Sequence, residues 1–416
     1  SRRSPTSQMA RNTTLRFLTS LLVPGGVLLL AAWALDHEPV VWDAASPYAI
    51  YFCVGALVAA ILLSWYHDQS ALLGVASAVG LTVWALERWP DDTSSAALAA
   101  TFLLPLNFVL FAFLKERGVT TLDGAFKIAI VGAQAAGIER IAQQSSPDIG
   151  SVLRWGTQSG AWSPISLPAQ VAFAASALTL LWLIVSRRAK VEGLFWALVA
   201  VFFGLHESAK AEALLFYAGT AGLVLVFAVL EHGYDIAYRD ELTGLLGRRA
   251  FTTMMERLGR TYAFALCDVD HFKRFNDTYG HDVGDDVLKM VAEKLSHVEG
   301  GGRVFRYGGE EFLVVFQGRS AIEARPFMES VRHAIADTGF VLHGPDRPVR
   351  KRMRRGKTAQ DKPPTVTVTT SIGIAEKSTR HSTPDLVLDA ADAALYAAKA
   401  GGRNRVRLDE TIPASA

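Results

Sequence analysis

Charged and apolar residues are distributed very unevenly along this chain, and that asymmetry limits how the chain can fold. The first 230 or so residues are dominated by Ala, Leu, Val, Phe and Trp, whereas the remainder carries most of the Asp, Glu, Lys and Arg. A chain of 416 residues also exceeds the usual size of one domain. We therefore predict an apolar helical region at residues 1–230 and a soluble unit after it.

The apolar region contains runs of the length that a membrane-spanning helix requires. Such a helix needs roughly 20 mostly apolar residues to cross the ~30 Å hydrocarbon core of a bilayer. The third and seventh runs are short, and Lys127, Gln134 and Glu139 interrupt the fifth. For any one run the alternative is an interfacial or re-entrant segment. The eight candidates lie near 15–35, 48–65, 71–87, 96–114, 124–142, 167–186, 191–206 and 211–230.

Loop charges favour eight spans over seven. Lys and Arg accumulate in cytoplasmic loops because their translocation is unfavourable. Eight spans place three basic clusters and both termini in the cytoplasm, whereas seven spans would export the basic N-terminus. The basic residues are Arg2, Arg3, Arg11, Arg16, Lys115, Arg117, Arg187, Arg188 and Lys190, and the acidic residues of the opposite side are Asp36, Glu38, Asp43, Asp91 and Asp92. We therefore predict a multi-pass α-helical membrane domain.

Two places in this region are candidates for receiving a stimulus. His206, Glu207, Lys210 and Glu212 cluster between the last two spans, where the alternative is a short hydrated loop. The long exterior loop at 143–166 is rich in Ser, Gly and Pro. Nothing in either segment identifies a ligand.

Overall charge and cysteine content exclude several classes of function. A formal net charge of +2 gives no electrostatic case for nucleic-acid binding. Cys53 and Cys267 lie in different halves of the chain, so they offer neither a disulfide framework nor a metal-binding spacing.

After residue 240 the apolar pattern alternates between strand and helix periods. Residues 231–239 leave little room for a linker, and we predict that they continue the last span as a juxtamembrane signalling helix. The Gly308-Gly309 turn is expected to require positive φ, and the helix at 321–339 to end at a glycine cap. Strands alternating with helices indicate an α/β sandwich at 240–416. We predict strands at 261–269, on both sides of the turn within 303–316, at 365–376 and at 405–409, and helices at 283–298, 321–339 and 384–402.

Three elements of this unit carry residues suited to chemistry. A strand ends in Asp268-Val269-Asp270, a turn presents Gly308-Gly309-Glu310-Glu311, and a helix end carries Lys399 followed by Arg403. Each alone has a structural explanation, as a cap, a turn or a partner of the helix dipole. Together, carboxylates suit a hard divalent cation and basic groups suit phosphates. The combination predicts phosphoryl or nucleotidyl transfer.

Four ordered motifs in the same unit resemble GGDEF-domain diguanylate cyclases. RYGGEEF (306–312) matches the signature turn, and RDELTGLLGRRAF (239–251) is similar to the opening motif. CDVDHFKRFNDTYGHDVGDDVL (267–288) resembles the metal and guanine segment, and ALYAAKAGGRNRV (394–406) the phosphate-contacting end. The clear departure is Gly247, where the family usually has Asn, and we expect a local effect on packing or capping there.

The resemblance implies metal-binding and catalytic roles for the strand end and the turn. Asp268, the carbonyl of Val269 and Glu310 would bind Mg²⁺ or Mn²⁺, with two ions expected per active site. Glu310 would also be the base for the attacking 3′-hydroxyl. Glu311 ranks second as a metal ligand, because adjacent residues on a regular strand point to opposite faces.

The resemblance also implies how GTP would be held. Asn276 and Asp285 would read guanine, whose N1 and N2 donors adenine lacks, and His281 would line the nucleotide. Relatives that accept ATP often have serine at the position of Asp285, so its presence favours GTP. The remaining substrate-binding residues are the backbone N–H groups of Phe272 and Lys273, the turn glycines Gly308 and Gly309, and the side chains of Lys399 and Arg403.

Further expectations concern assembly and regulation. The family reaction joins two GTP molecules into cyclic di-GMP across a homodimer, which here would form through the GGDEF domains and the membrane helices, in the cytoplasmic membrane of a bacterium. Many relatives carry an Arg-x-x-Asp site for product inhibition, but Glu299, Gly300, Gly301 and Gly302 stand there. We expect no product inhibition through that site.

The insertion at 345–364 has seven Lys or Arg residues between Arg347 and Lys357. A solvated, disordered loop is the plainest interpretation. Contact with anionic lipid head groups is the sharper one, and nucleic acid ranks third because no aromatic residues interleave the charges.

Two alternatives to an active cyclase stay open. One is a catalytically silent GGDEF receptor or interaction module regulated by nucleotide. The other is a transporter or enzyme within the membrane half, which the scarcity of aligned intramembrane charges disfavours.

Overall fold

The structure is a computed structural model that describes residues 22–90, 94–143, 163–186, 190–207, 211–341 and 365–410. The chain divides into two compact units, Ser1–Gly233 and Tyr234–Ala416. Several sequence-based predictions lie outside the described residues. They concern the basic N-terminus, Asp91 and Asp92, most of the 143–166 loop, the Arg187-Arg188 pair, Lys210 and the basic insertion at 345–364.

The first unit is helical, and a helix lies at each of the eight predicted positions. The second position holds two helices joined by a short 3₁₀ turn, which together run as one helical segment. The helices are α1 (Gly25–Asp36), α2 (Pro39–Ala45), α3 (Ala49–Tyr66), α4 (Ser70–Arg88), α5 (Ser95–Phe113), α6 (Leu122–Gln143), α7 (Leu167–Val185), α8 (Glu192–His206) and α9 (Ala211–Tyr238). As predicted, helical structure continues beyond the last apolar run, since α9 ends at Tyr238.

Five helical segments among the described residues are long and apolar enough to cross a membrane: Pro39–Tyr66, Ser70–Arg88, Ser95–Phe113, Leu167–Val185 and Glu212–Tyr238. The apolar helices α1 and α8 are shorter, with 12 and 15 residues. The 22-residue α6 has the length, but its composition is more polar. These five segments are compatible with membrane spans, and the count of eight stays a prediction.

The polar residues that interrupt the fifth run have partners inside the helical unit. The Lys127 ammonium, whose side chain is 1% exposed, donates to the Ser70 hydroxyl over 2.7 Å and lies 3.6 Å from the Glu116 carboxylate. Glu116 in turn accepts from the backbone N–H groups of Ser70 and Ala71 at the start of α4.

A second polar pair on α6 joins it to α5. Asn107 and Gln134 exchange two amide hydrogen bonds of 2.9 Å. Buried polar groups that pair with each other avoid the cost of lost hydration. These partners explain how a helix with so many polar residues packs in an apolar region.

The second unit contains a six-stranded sheet in the order β1-β3-β4-β2-β7-β8 and a two-stranded sheet of β5 and β6. Its strands are β1 (Leu246–Gly247), β2 (Tyr262–Val269), β3 (Arg303–Arg306), β4 (Glu311–Gln317), β5 (Phe340–Val341), β6 (Thr365–Val366), β7 (Thr370–Glu376) and β8 (Val406–Leu408). Its helices are α10 (Arg248–Met255), α11 (Phe272–Tyr279), α12 (His281–Ser296), α13 (Ala321–Ala336) and α14 (Pro384–Ala400).

Strand β2 is central and buried on both faces, which explains its continuous apolar sequence. Ala263, Ala265 and Cys267 pack in a core with α12 and α13. Phe264 and Leu266 alternate with them and pack in a second core with α10 and α14. The α/β sandwich predicted from the sequence is therefore confirmed, with antiparallel β4 and β7 on either side of β2.

Two turn predictions were wrong. Neither Gly308 nor Gly309 has positive φ. The connection from β3 to β4 has four residues, Tyr307 to Glu310, and so does not need the left-handed conformations of a two-residue hairpin. The helix predicted at 321–339 ends at Ala336 with Asp337 as its C-cap, and Gly339 has no positive φ.

The strand predicted at 365–376 is interrupted. Residues 367–369 separate β6 from β7, and β6 pairs with β5 instead of joining the large sheet. The Asp270 backbone N–H donates to the Thr369 carbonyl, and the Thr369 hydroxyl donates to the Asp270 carboxylate. These bonds tie the break to the end of β2.

Candidate active site

The centre of the site is an ion pair at the end of β2. Asp268 is buried, and its carboxylate lies 2.8 Å from the ammonium of Lys399. Lys399 is near the C-terminus of α14, which packs on the same face of the sheet as Phe264 and Leu266. Because side chains alternate along a strand, Asp268 points to that face as well. Sheet topology thus joins residues that are far apart in sequence.

Both signature glutamates stand beside Asp268. Glu311 is the first residue of β4 and is the direct register partner of Asp268, so the two side chains share a face. Glu310 lies just before the strand, in the turn, and its carbonyl accepts from the Val269 N–H over 3.4 Å. Strand alternation therefore places Glu311 on the face of Asp268 without any distortion of the turn, contrary to the reason for which the sequence ranked Glu311 second. The structure brings together the strand end, the turn and the helix end that the sequence singled out.

Electrostatics at this point favour a bound cation. Burial raises the pKa of Asp268 above its ordinary value, while the hydrogen-bonded Lys399 opposes the shift. Burial also raises the pKa of Glu310, and the negative charges of Asp268 and Glu311 add to that effect. Like-charged carboxylates held together in a partly buried site gain free energy when a cation neutralises them.

The donor set fits a divalent metal ion that also binds substrate. Among the described residues, no group of three or more His, Cys, Asp or Glu side chains is arranged to hold an ion by itself. The site supplies the carboxylates of Asp268, Glu310 and Glu311, and the carbonyl of Val269 is the remaining predicted ligand. Mg²⁺ typically takes one or two carboxylates and completes its shell with water and substrate phosphates, so an incomplete protein shell is what it requires.

The two predicted guanine readers lie near each other. Asn276 on α11 has a buried amide oxygen that makes no hydrogen bond in the described part of the chain. A Cβ atom on Gly284 of α12 would collide with that oxygen, so the two helices approach closely there. Asp285 follows Gly284 and is exposed, as is His281 at the start of α12. Acceptors on two packed helices thus border the same surface.

The predicted phosphate contacts lie at the start of α11 and after α14. Helix α11 begins at Phe272 and Lys273, after His271 in the left-handed region with φ of 60°. The first N–H groups of a helix lack intrahelical partners and bind anions well. Arg403 follows α14, also with positive φ, and its charge lowers the pKa of Asp268 against the effect of burial.

Sequence reasoning missed a network that holds the signature turn. The Arg306 guanidinium donates to both carboxylate oxygens of Asp240, at 2.8 and 2.9 Å, and to the carbonyl of Gly309 at 2.7 Å. Asp240 also accepts from the backbone and hydroxyl of Thr243. The opening motif therefore contacts the turn through one arginine. The RDELTG motif was the sequence signal for this network, but the motif alone does not show that its Asp240 binds Arg306.

Asp270, the second carboxylate of the strand end, is structural. Its buried carboxylate accepts from the hydroxyls of Thr369 and Ser371 at 2.7 Å and from the backbone N–H of Asn404 at 3.0 Å. Arg332 donates to the side chain of the same Asn404. These contacts fix the backbone next to Arg403, and they occupy the Asp270 carboxylate with hydrogen bonds inside the domain.

Comparison with known families supports the interpretation of these residues as a functional site. Residues 237–350 and 346–405 match the family model described as "Diguanylate cyclase, GGDEF domain". The C-terminal part of this chain is a GGDEF domain. Its opening motif departs from the family at Gly247, which is the N-cap of α10 and offers no side-chain hydrogen bond to the helix. The expected local effect on packing or capping at this position stays a prediction.

Known proteins with a similar GGDEF domain include two curated relatives. Response regulator PleD of Caulobacter vibrioides is 35% identical over 186 residues, which are 42% of this chain and 37% of that protein. Diguanylate cyclase VdcA of Vibrio cholerae is 37% identical over 171 residues, 40% of this chain and 45% of that protein. The chain thus spans less than half the length of these relatives.

Among solved structures, the GGDEF domain of DgcB from Caulobacter crescentus in complex with c-di-GMP is similar to this one. The two are 33% identical, with a TM-score of 0.36, and the match covers 42% of this chain and 94% of that one.

Proposed function

We propose that this chain is a membrane-bound diguanylate cyclase that condenses two GTP molecules into cyclic di-GMP and releases two pyrophosphates. One observation carries the proposal. Asp268, Glu310 and Lys399 meet at the end of β2, with an ion pair of 2.8 Å and two carboxylates of raised pKa. Carboxylates held this close repel each other, and a bound cation that carries a polyphosphate would relieve that repulsion.

Each residue of the site has a role in this reaction. Glu310 accepts the proton of the attacking 3′-hydroxyl, and Asn276 and Asp285 hold guanine. Phe272 and Lys273 offer backbone N–H groups to the phosphates, and Lys399 and Arg403 neutralise the terminal ones. Mg²⁺ or Mn²⁺, with two ions per site, would supply further neutralisation of phosphate charge and would be held by Asp268, Val269 and Glu310.

Two copies of the domain are required in this proposal. Each 3′-oxygen forms a bond to the α-phosphorus of the other GTP, the bond from that phosphorus to the bridging oxygen breaks, and pyrophosphate leaves with the electron pair. One domain binds one GTP, so two domains face each other in a homodimer. In this proposal the apolar helices of the first unit span the cytoplasmic membrane of a bacterium and regulate the distance or angle between the two domains.

Product formation by the purified full chain tests this proposal. The protein in detergent is incubated with GTP and Mg²⁺, and the nucleotides are separated by chromatography. We expect cyclic di-GMP from the wild type and none from Glu310→Ala. Glu293→Gln, which changes an exposed carboxylate on α12, is the matched control and should leave product formation intact.

Failure has a defined meaning as well. If the wild type binds GTP but gives no product under any condition, the catalytically silent receptor is the better description. The intact signature turn and its paired Asp268 argue against that outcome. If Glu310→Ala retains activity, the role given to the turn is wrong.

A further inference from the structure

A cavity of about 200 Å³ lies in the first unit, at one end of the helical bundle. It is formed where the C-terminal ends of α4 and α8 meet the N-terminal ends of α5, α7 and α9. Loop charges predict that these helix ends face the exterior. The lining residues that matter are Leu86, Glu87, Leu98, Ser166, Leu205 and Leu214.

The cavity contains a buried hydroxyl without a partner. Ser166 is 1% exposed and is the N-cap of α7, yet its side chain makes no capping hydrogen bond. Its oxygen has no hydrogen-bond partner anywhere in the described residues. Buried hydroxyls are nearly always hydrogen-bonded, so one that lines a cavity in this state points to a ligand or solvent partner.

A carboxylate lines the same cavity. Glu87 stands in the last turn of α4, and within the described part of the chain its side chain has no hydrogen bond or ion pair. The adjacent Arg88 does not neutralise it, because its guanidinium lies over the ring of Trp89, 5.8 Å from the centroid.

The surrounding helix ends add negative charge. Besides Glu87, the described acidic residues at this end include Asp36, Glu38, Asp43, Glu207 and Glu212, against few cations such as Arg88 and Arg140. A surface with an excess of one sign raises the local concentration of ligands of the opposite sign. The remaining lining is mostly apolar, made of Leu, Ile, Ala and Pro side chains, with Thr101 as the other polar residue. The Thr101 hydroxyl donates to carbonyls of its own helix.

We propose that this cavity binds a small organic cation with an apolar body, of the arylalkyl- or alkylammonium class. The ammonium would pair with Glu87 and donate to the Ser166 oxygen, while the apolar body would contact the leucines. An apolar cavity of roughly 150 Å³ accommodates benzene, so 200 Å³ suits an aromatic ring with a short aminoalkyl group. The test of this site does not depend on the proposed cyclase activity, because it measures ligand binding directly.

The test uses the full chain in detergent or nanodiscs and three probes of the same size. Benzylammonium, benzyl alcohol and benzoate differ in charge but share the ring. Binding is measured by calorimetry and by tryptophan fluorescence. We expect benzylammonium to bind at least about tenfold more tightly than benzyl alcohol, as charge-assisted hydrogen bonds require, and benzoate to bind least.

Variants locate the site. Glu87→Gln should remove the preference for benzylammonium over benzyl alcohol, and Ser166→Ala should weaken benzylammonium several-fold. Glu212→Gln changes an exposed carboxylate at the same helix ends that does not line the cavity, and it should keep the preference for benzylammonium over benzyl alcohol.

Three results would overturn the proposal: no binding of benzylammonium at millimolar concentration, equal binding of all three probes, or an unchanged preference in Glu87→Gln. The comparison of probes on the wild type does not depend on any variant folding correctly.

Discussion

The surroundings of the most buried charge differ between the two units. In the helical unit, Lys127 lies among a hydroxyl, a carbonyl and the Glu116 carboxylate, so this buried ammonium has only complementary partners. In the GGDEF domain, Asp268 also has a complementary partner in Lys399, but Glu310 and Glu311 stand beside it although all three are acidic, and the pKa values of Asp268 and Glu310 are raised. Complementary pairs serve packing, whereas like charges are retained where a ligand completes the site. This contrast separates structural from functional polar groups.

The largest expected effect is on catalysis. Glu310→Gln keeps the size of the side chain but removes the base and one negative charge. We expect the rate of cyclic di-GMP formation to fall by about 10³-fold or more, within the range for loss of a general base and of electrostatic stabilisation. Chromatographic product assays measure this, with Glu293→Gln as the control. A loss below about tenfold would contradict the role of Glu310.

The next effect is on the helical unit. Lys127→Met removes the buried ammonium, leaving Glu116 and Ser70 without it. Breaking a buried pair costs about 3 kcal/mol, and somewhat less here because Glu116 is 35% exposed. All nine tryptophans precede Tyr234, so tryptophan fluorescence during denaturation reports this unit. Lys115→Met, at an exposed lysine, is the control. Equal stability of the two variants would mean that the buried pair does not stabilise the unit.

A smaller effect is expected where the opening motif holds the turn. Asp240→Asn weakens the contacts with Arg306 and Thr243 and should destabilise the domain by about 1.5 kcal/mol. Burial alone would raise the pKa of Asp240, but hydrogen bonds from Thr243 and Arg306 outweigh it and lower the pKa. The stabilisation is therefore present above the ordinary pKa of 3.8 and is lost as the pH falls through the lower folded value.

Hydrogen exchange of the signature-turn peptide measures the effect of Asp240→Asn, because the described GGDEF domain contains no tryptophan. The protection of wild type and variant should differ at neutral pH and converge in acid. A difference that does not depend on pH would show that charge on Asp240 is unimportant.

Glu310→Gln should also stabilise the domain slightly when no nucleotide or metal is bound. Because the pKa of Glu310 is raised, the associated stability is present below the ordinary value of 4.5 and is lost as the pH rises through the folded pKa. At neutral pH the neutral variant should therefore exchange more slowly than the wild type, and adding Mg²⁺ with a non-reactive GTP analogue should reverse the order. If the wild type without ligand is better protected than Glu310→Gln, the negative charge of Glu310 does not destabilise the domain, and the proposed difference between the two units is wrong.

The smallest effect concerns Gly247. Its φ of −88° and the ordinary contacts that a Cβ would make allow a side chain there. Gly247→Asn should restore an N-cap for α10 and stabilise the domain by about 0.3 kcal/mol. Slower exchange at the start of α10 would confirm it, and Gly247→Ala, which cannot cap, is the matched control.

Much of the architecture was predictable because helices and strands produce short apolar periods in the local sequence. Apolar runs located the helices of the first unit, and alternating periods located β2, α12 and α14. Turn geometry was not predictable from composition, since Gly308 and Gly309 adopt ordinary φ in a four-residue connection. The break after β6 was missed because apolar alternation continues through it while Asp270 binds Thr369.

The sequence by itself determined which residues are candidates for chemistry, because motif order and side-chain type are local properties. It also determined the division into an apolar helical unit and a soluble domain. Only the tertiary structure decided which of the acidic residues meet. Asp268 and Lys399 are brought together by the sheet order β4-β2-β7 and by the face on which α14 packs. Asp270, two residues further along, binds Asn404 instead and becomes structural. The physical reason is that a partner more than 130 residues away is selected by strand pairing and packing, which no local pattern encodes.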